Sequence, residues 1–270
     1  MTRVPTAMTI AGSDSGAGAG VQADLKTFAA LGVYGTSVLT AVTAQNTRQV
    51  TDMLELPTSL IGSQIDAVMA DIGADAVKTG MLSSSEVVAA VAEKVRLHRL
   101  ERLVVDPVMV AKAGDRLLRA DAVEALRTLL IPLARVVTPN GPEAEVLTGR
   151  RVETLDDAKK AARDLVGMGA TAAIVKGGHL GGAATDTLYD GGDFIELTSP
   201  RVETTSDHGT GCTFASAITA GLAKGLDLAA AAALAKEYVT AALRHAFPMG
   251  RGHGPLNHFY ELWGMSKGPG

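Results

Sequence analysis

Cys212 is the only cysteine among 270 residues, and it sits in the run His208-Gly209-Thr210-Gly211-Cys212-Thr213. Phe214 to Ala223 have the apolar pattern of a helix, so the backbone N–H groups of residues 209 to 213 would open outward at the positive end of its dipole. Glycines let such a backbone approach an anion closely, and phosphate is the anion this geometry suits. A thiol at a helix start is expected to ionise more readily than a free one, moving from about 8.5 toward roughly 3.5–7.5. A phosphate cradle beside an activated thiol stands against a plainer reading, an inert buried cysteine behind a sharp glycine turn.

Other segments carry polar groups at places where strands are expected to end. Thr138-Pro139-Asn140-Gly141-Pro142-Glu143-Ala144-Glu145 offers an amide and carboxylates. Asn140 or Glu143 could hold the waters of a Mg²⁺ ion, which prefers few carboxylates plus phosphate oxygens. The same residues also suit a helix start, with proline in its first turn and acids facing the dipole. Lys176, ahead of Gly177 and Gly178, could meet phosphate as a point charge, or it is an ordinary exposed lysine.

The cluster from Gly12 to Gly20 superficially resembles a dinucleotide-binding turn, but position 21 is Val21 and no acid lies between Asp24 and Asp52 to hold a ribose. A Walker sequence, H-E-x-x-H, paired C-x-x-C and G-x-S-x-G are all absent. The histidines His245, His253 and His258 lie near the C-terminus, where a solvated role is expected.

The elements that would position these groups follow a rhythm of short apolar runs and amphipathic helical stretches, which means a mainly parallel sheet. Strands are expected at Ala7–Ala11, Ser37–Thr43, Ala76–Lys78, Leu103–Val105, Val136–Val137 and Ala172–Lys176. Helices are expected near Thr58–Ile72, Ser84–Leu97, Ala120–Leu130 and Leu155–Gly167, then from about Thr210 and Leu228. Thr185–Leu197 reads as a hairpin around Asp190-Gly191-Gly192. Ligands of open α/β sheets bind beyond the carboxyl ends of the strands. Gly12-Ser13-Asp14, Gln45-Asn46, Lys78 to Met81, Asp106 to Val108, Asn140 and Lys176 all fall there.

Residues 1–270 are expected to form one domain with a tail frayed from about residue 250. Apolar residues make up 47% and aromatics only 4%, so the core would be built from Ala, Val, Leu and Ile. A net charge of −4 with both signs interspersed gives no reason to expect nucleic acid or an anionic membrane as partner. A single cysteine, no signal-peptide run and no spanning segment point to a soluble cytoplasmic protein.

In order along the chain, AGSDSGAGAGVQADLKTFAALGVYG, TAVTAQNT, KTGML, VVDPVMVAKAGDRLL, TPNGPEAEVLTG, VKGGHL and HGTGCTFASAI closely resemble the hydroxymethylpyrimidine and phosphohydroxymethylpyrimidine kinases of thiamine synthesis, in the ribokinase-like superfamily. The resemblance runs from about Ala7 to Pro248. It implies a ribokinase-like α/β fold with helices on both sheet faces, ATP and Mg²⁺ as cofactors, a small pyrimidine substrate and a homodimer.

It further implies that Gln45 reads the aminopyrimidine, that Gly12, Met81 and Val108 line its ring, and that Asp24 holds the hydroxymethyl group. Asn140, Glu143 and Lys176 would serve the nucleotide, with Glu143 and Asp106 near Mg²⁺ through water. Gly209, Thr210, Gly211 and Cys212 would stabilise the transferring phosphoryl, Cys212 standing where the wider superfamily has an aspartate base. Ala17, Ala113 and Asp207 depart from the usual glycine, serine and threonine. A pyridoxal or pyridoxine kinase and a non-catalytic pyrimidine-binding regulator are the alternatives. An intact phosphate half argues against the regulator.

Overall fold

A computed structural model describes residues 3–110, 118–178 and 181–263. Residues 111–117, which include Ala113 and most of the VAKAGDRLL motif, and His179 lie outside them. In chain order the elements are β1 (Thr6–Asp14), α1 (Gly20–Ala30), β2 (Tyr34–Gln45), β3 (Val50–Glu55), α2 (Thr58–Asp71), β4 (Ala76–Thr79), α3 (Ser85–Leu97) and β5 (Leu103–Val105). They continue with α4 (Ala120–Ala125), β6 (Val136–Val137), α5 (Gly141–Thr148), α6 (Leu155–Gly167), β7 (Ala173–Val175), β8 (Ala184–Tyr189), β9 (Phe194–Ser199), α7 (Thr210–Ala223) and α8 (Leu228–Arg244). The strands form one sheet in the order β3-β2-β1-β4-β5-β6-β7-β8-β9. Pairing is parallel from β2 through β7 and antiparallel at β3, β8 and β9.

Successive strand residues point to opposite faces, and the central strands are apolar on both. Met8, Ile10, Val77, Leu103, Val105, Val137, Ala173 and Val175 enter one core with α2, α3 and α6. Ala7, Ala76, Val104, Val136 and Ile174 enter the other with α7 and α8. Burial on both sides is what a parallel sheet between helical layers requires. Side chains cap several helix starts: Ser84 accepts from Val87 N, Thr154 from Asp157 N and Asp227 from Ala230 N.

The structure corrects several expectations. β1 runs on to Asp14, so Gly12, Ser13 and Asp14 belong to the strand; Ser13 and Asp14 pair with Val42 and Thr43 of β2 after a register shift at Gly12. The edge strand β3 was not expected, because Val50–Glu55 is mostly exposed and lacks a buried face. Residues 250–263 pack rather than fray: Gly252 N donates to Thr47 Oγ1, Gly254 N to Thr205 O, and Leu256 joins the core.

His258 is buried, not solvated. Its Nε2 lies 3.0 Å from Thr213 Oγ1 on α7, and burial, helped by the charge of Lys26, pulls its pKa down to about 4. An imidazole depressed in the folded state contributes stability that is complete above its unfolded value of roughly 6.5 and is lost as pH falls toward 4. At pH 5 the loss is expected to be about 2 kcal/mol. His258→Gln should therefore flatten the drop in thermal midpoint between pH 7 and pH 5. An unchanged slope would contradict the assignment.

Candidate active site

The mouth of α7 has the open N–H groups expected of it. Its N-cap is Gly209, at φ +85°, with no side-chain cap. Thr213 N turns back to Gly209 O at 2.8 Å and Thr210 N makes a long 3.4 Å contact with Asp207 O. Gly211 and Cys212 N–H have no backbone acceptor among the described residues. The mouth opens on a cavity of about 700 Å³ along the carboxyl ends of the strands.

Cys212 is half-buried, and its ionisation contradicts the expectation from the helix start. Burial pushes the thiol up to about 12, against the pull of the Lys78 ammonium, with the Asp106 and Asp24 carboxylates adding to the rise and the Gly20 N–H opposing it. Near neutral pH it is a thiol. Loss of water around the sulfur and the two nearby carboxylates outweigh the pull of Lys78 and the Gly20 N–H, even though the residue borders the cavity.

Lys176 faces this mouth. A Cβ on Gly211 would lie 3.0 Å from Lys176 Nζ, so the missing side chain leaves that ammonium room. Lys176 Nζ donates to Asp106 Oδ1 at 3.0 Å and lies 3.9 Å from Glu143 Oε2. Burial alone would lower its pKa, but Asp106 and Glu143 hold it above the ordinary lysine value.

Asn140 and Glu143 form the capping box of α5: Glu143 N donates to Asn140 Oδ1 at 2.9 Å, and Asn140 N donates to Glu143 Oε2 at 2.8 Å. The helix-start reading is thus correct, and both residues still line the cavity. Burial raises Glu143 to about 7, with Lys176 pulling the other way.

Asp106 Oδ2 is buried with no hydrogen-bond partner. No cluster of three or more metal-ligating side chains occurs among the described residues. One orphaned carboxylate oxygen and a second carboxylate nearby fit Mg²⁺, which takes most of its shell from water and phosphate.

Around Gln45, at the end of β2, the backbone is tied to the Ser15 hydroxyl in both directions, at 2.7 and 2.8 Å. Gly12, Met81 and Val108 line the same cavity. Gly12 and Met81 are close enough that a Cβ at position 12 would strike the Met81 methyl.

Asp14 and His208 also line the cavity; the sequence places both in noted motifs but assigns neither a role. His208 Nε2 donates to Asp14 Oδ2 at 2.8 Å, joining the end of β1 to the α7 mouth. Burial would raise Asp14, but this bond and N–H groups of Ala19 and Gly16 hold it below the usual carboxylate range. Their sequence signal was the Ser-Asp-Ser turn and the histidine opening the glycine motif, neither of which has a distinctive spacing.

Asp24 is the site expectation that the structure moves. It is fully buried and absent from the cavity lining. Its oxygens accept from Thr9 Oγ1, Ser216 Oγ and Lys78 Nζ, at 2.6, 2.6 and 2.9 Å. Every lone-pair direction is engaged, so it anchors Lys78 instead of meeting a ligand. Lys78, placed at a strand end by the sequence but given no role there, lines the cavity. Burial would lower its pKa, but Asp24 holds it well above the usual lysine range.

A sequence model of the family described as phosphomethylpyrimidine kinase matches residues 14–257. The hydroxymethylpyrimidine/phosphomethylpyrimidine kinase of Rhizobium meliloti is 53% identical over 262 residues, covering 95% of this chain and 98% of that protein. The thiamine biosynthesis bifunctional protein ThiED of Geobacter sulfurreducens is 54% identical over 252 residues. That match covers 93% of this chain and 51% of that protein, so the chain spans about half its length. Among solved structures, the ADP complex of Bacillus subtilis pyridoxal kinase superposes with a TM-score of 0.89 at 40% identity, covering 95% of this chain and 98% of that one. The mainly parallel sheet between helical layers is the expected ribokinase-like arrangement. This chain belongs to the phosphomethylpyrimidine kinase family.

Proposed function

We propose that the chain transfers the terminal phosphoryl group of ATP to the hydroxymethyl oxygen of 4-amino-5-hydroxymethyl-2-methylpyrimidine, and a second one to the resulting monophosphate. The observation that carries this reading is that one cavity is lined both by the Gln45 amide, which suits an aminopyrimidine edge, and by Lys176 with the α7 mouth, which suit phosphate. In each step an acceptor oxygen bonds to the γ-phosphorus while the bond to the ADP oxygen breaks, and the alcohol step also releases the hydroxyl proton to solvent. The Gly211 and Cys212 N–H groups and Lys176 stabilise the charge on the moving phosphoryl. Asp106 and Glu143 are the residues to hold Mg²⁺, which when bound neutralises and aligns the phosphates. A homodimer, carried from the family resemblance, and a cytoplasmic location, read from the single cysteine and the sequence's apolar pattern, belong to the same proposal.

The relation to a solved pyridoxal kinase keeps a pyridine alcohol as the competing acceptor. Gln45 separates the two, since an amide pairs donor and acceptor with an aminopyrimidine and leaves a partner unmatched against a phenolic oxygen. Gln45→Leu is expected to weaken binding of the pyrimidine alcohol by about 1–3 kcal/mol and to leave ATP binding unchanged. Calorimetry showing unaltered pyrimidine affinity would remove Gln45 from the site.

Because Cys212 is held as a thiol, it is assigned to shaping the anion site, not to taking the acceptor proton. A positioned general base contributes roughly 10²–10⁴-fold, and loose phosphoryl transfer requires little base strength. Cys212→Ala should therefore slow phosphorylation of the alcohol and of the monophosphate by a similar factor of no more than about tenfold, below that range. A loss confined to the alcohol step would restore the base role, because the monophosphate acceptor is already ionised.

A further inference from the structure

An aminopyrimidine edge pairs with a side-chain amide in one direction only, oxygen toward the amine and N–H toward the ring nitrogen. His208 Nε2 lies 2.8 Å from Asp14 Oδ2 and 3.4 Å from the Gln45 amide nitrogen. Asp14 also accepts from Gly16, Gly18 and Ala19 N at 2.8, 3.1 and 2.9 Å. It is an acceptor throughout, so His208 Nε2 carries its hydrogen and has no lone pair for Gln45.

On the other side, Thr43 Oγ1 gives its single hydrogen to Ser13 O at 2.8 Å and presents lone pairs to Gln45 Oε1, 3.1 Å away. The His208 hydrogen is engaged by Asp14, so what His208 presents to Gln45 is the positive edge of that N–H; the amide turned over, with its oxygen toward His208 and its nitrogen donating to Thr43, suits both neighbours. Amide oxygen and nitrogen differ little in shape and are assigned by such networks. His208 is itself held: its backbone N donates to Gly254 O at 2.9 Å, and its ring lies against Gly18, where a Cβ would strike it.

We propose that His208, fixed by Asp14, sets the direction of the Gln45 amide and is thereby a specificity-determining positioning residue, selecting an aminopyrimidine edge over a ring that presents a phenolic oxygen there. The proposal rests on the role of Gln45 given above.

The test compares kcat/KM for the pyrimidine alcohol and for pyridoxal, KM for ATP, and Tm in the wild type, His208→Phe, His208→Gln and Thr43→Val. His208→Phe keeps a ring but loses the donor, and should lower the pyrimidine-over-pyridoxal ratio about tenfold or more with the ATP KM unchanged. His208→Gln returns an N–H and should recover much of the ratio. Thr43→Val removes the opposite contact and should shift the ratio the same way, which decides the matter if His208→Phe does not fold. Equal losses on both acceptors, or a ratio unchanged in the folded variants, would overturn the proposal. A wild-type enzyme with no preference for the pyrimidine would instead overturn the reading of Gln45 on which it stands.

Discussion

Lys176→Met is expected to lower kcat by roughly 10²–10³-fold, the usual effect of removing one preorganised charge from a developing oxyanion, with little change in the KM for the pyrimidine. The ammonium is enclosed, held at 3.0 Å by Asp106, and faces the α7 mouth across the space left by Gly211. Gln45 belongs to other elements and keeps its contacts, so acceptor binding survives. Lys176→Arg should not rescue the rate, because the larger guanidinium must fit where even a Cβ on Gly211 would come within 3.0 Å. Steady-state kinetics with both substrates varied would check this. A rise in acceptor KM at constant kcat would place Lys176 in binding and not in transfer.

Gly209→Ala should be damaging for two reasons that separate experimentally. Its φ of +85° strains any side chain, at on the order of 1 kcal/mol. An added Cβ would also run into the Gly18 carbonyl, forcing the α7 mouth away from the loop after β1 and displacing the Gly211 and Cys212 N–H groups. Gly225 has nearly the same φ, +84°, with nothing within 4 Å of a Cβ, so Gly225→Ala is the control for strain alone. We expect Gly225→Ala to lose about 1 kcal/mol of stability and no activity, and Gly209→Ala to lose kcat by roughly 10²-fold or more. Matching activities in the two variants would show that the close approach of Gly209 to Gly18 does not matter.

The parallel sheet was legible because its strands are apolar on both faces and its helices amphipathic, as in Leu103–Val105 and Leu155–Gly167. The edge strand β3 was not, since an exposed edge leaves no hydrophobic pattern. Within the site, the glycine turn before α7, Lys176 and Gln45 could be found because each follows or precedes a recognisable element. Asp24 was misplaced because sequence shows a carboxylate but not its partners, and Thr9, Lys78 and Ser216 come from three other elements. The Asp14–His208 bond joins residues 194 apart. The expected easier ionisation of Cys212 fails for a related reason: a helix start is visible in sequence, whereas the burial and carboxylates that raise a thiol are properties of the packed fold.

The most direct measurement is nucleotide consumption in Mg-ATP with the pyrimidine alcohol, its monophosphate and pyridoxal offered side by side. Both pyrimidine forms should be phosphorylated, and pyridoxal should be at best a poor acceptor. A kcat/KM for pyridoxal equal to that for the pyrimidine alcohol, or no turnover of the monophosphate, would contradict the account.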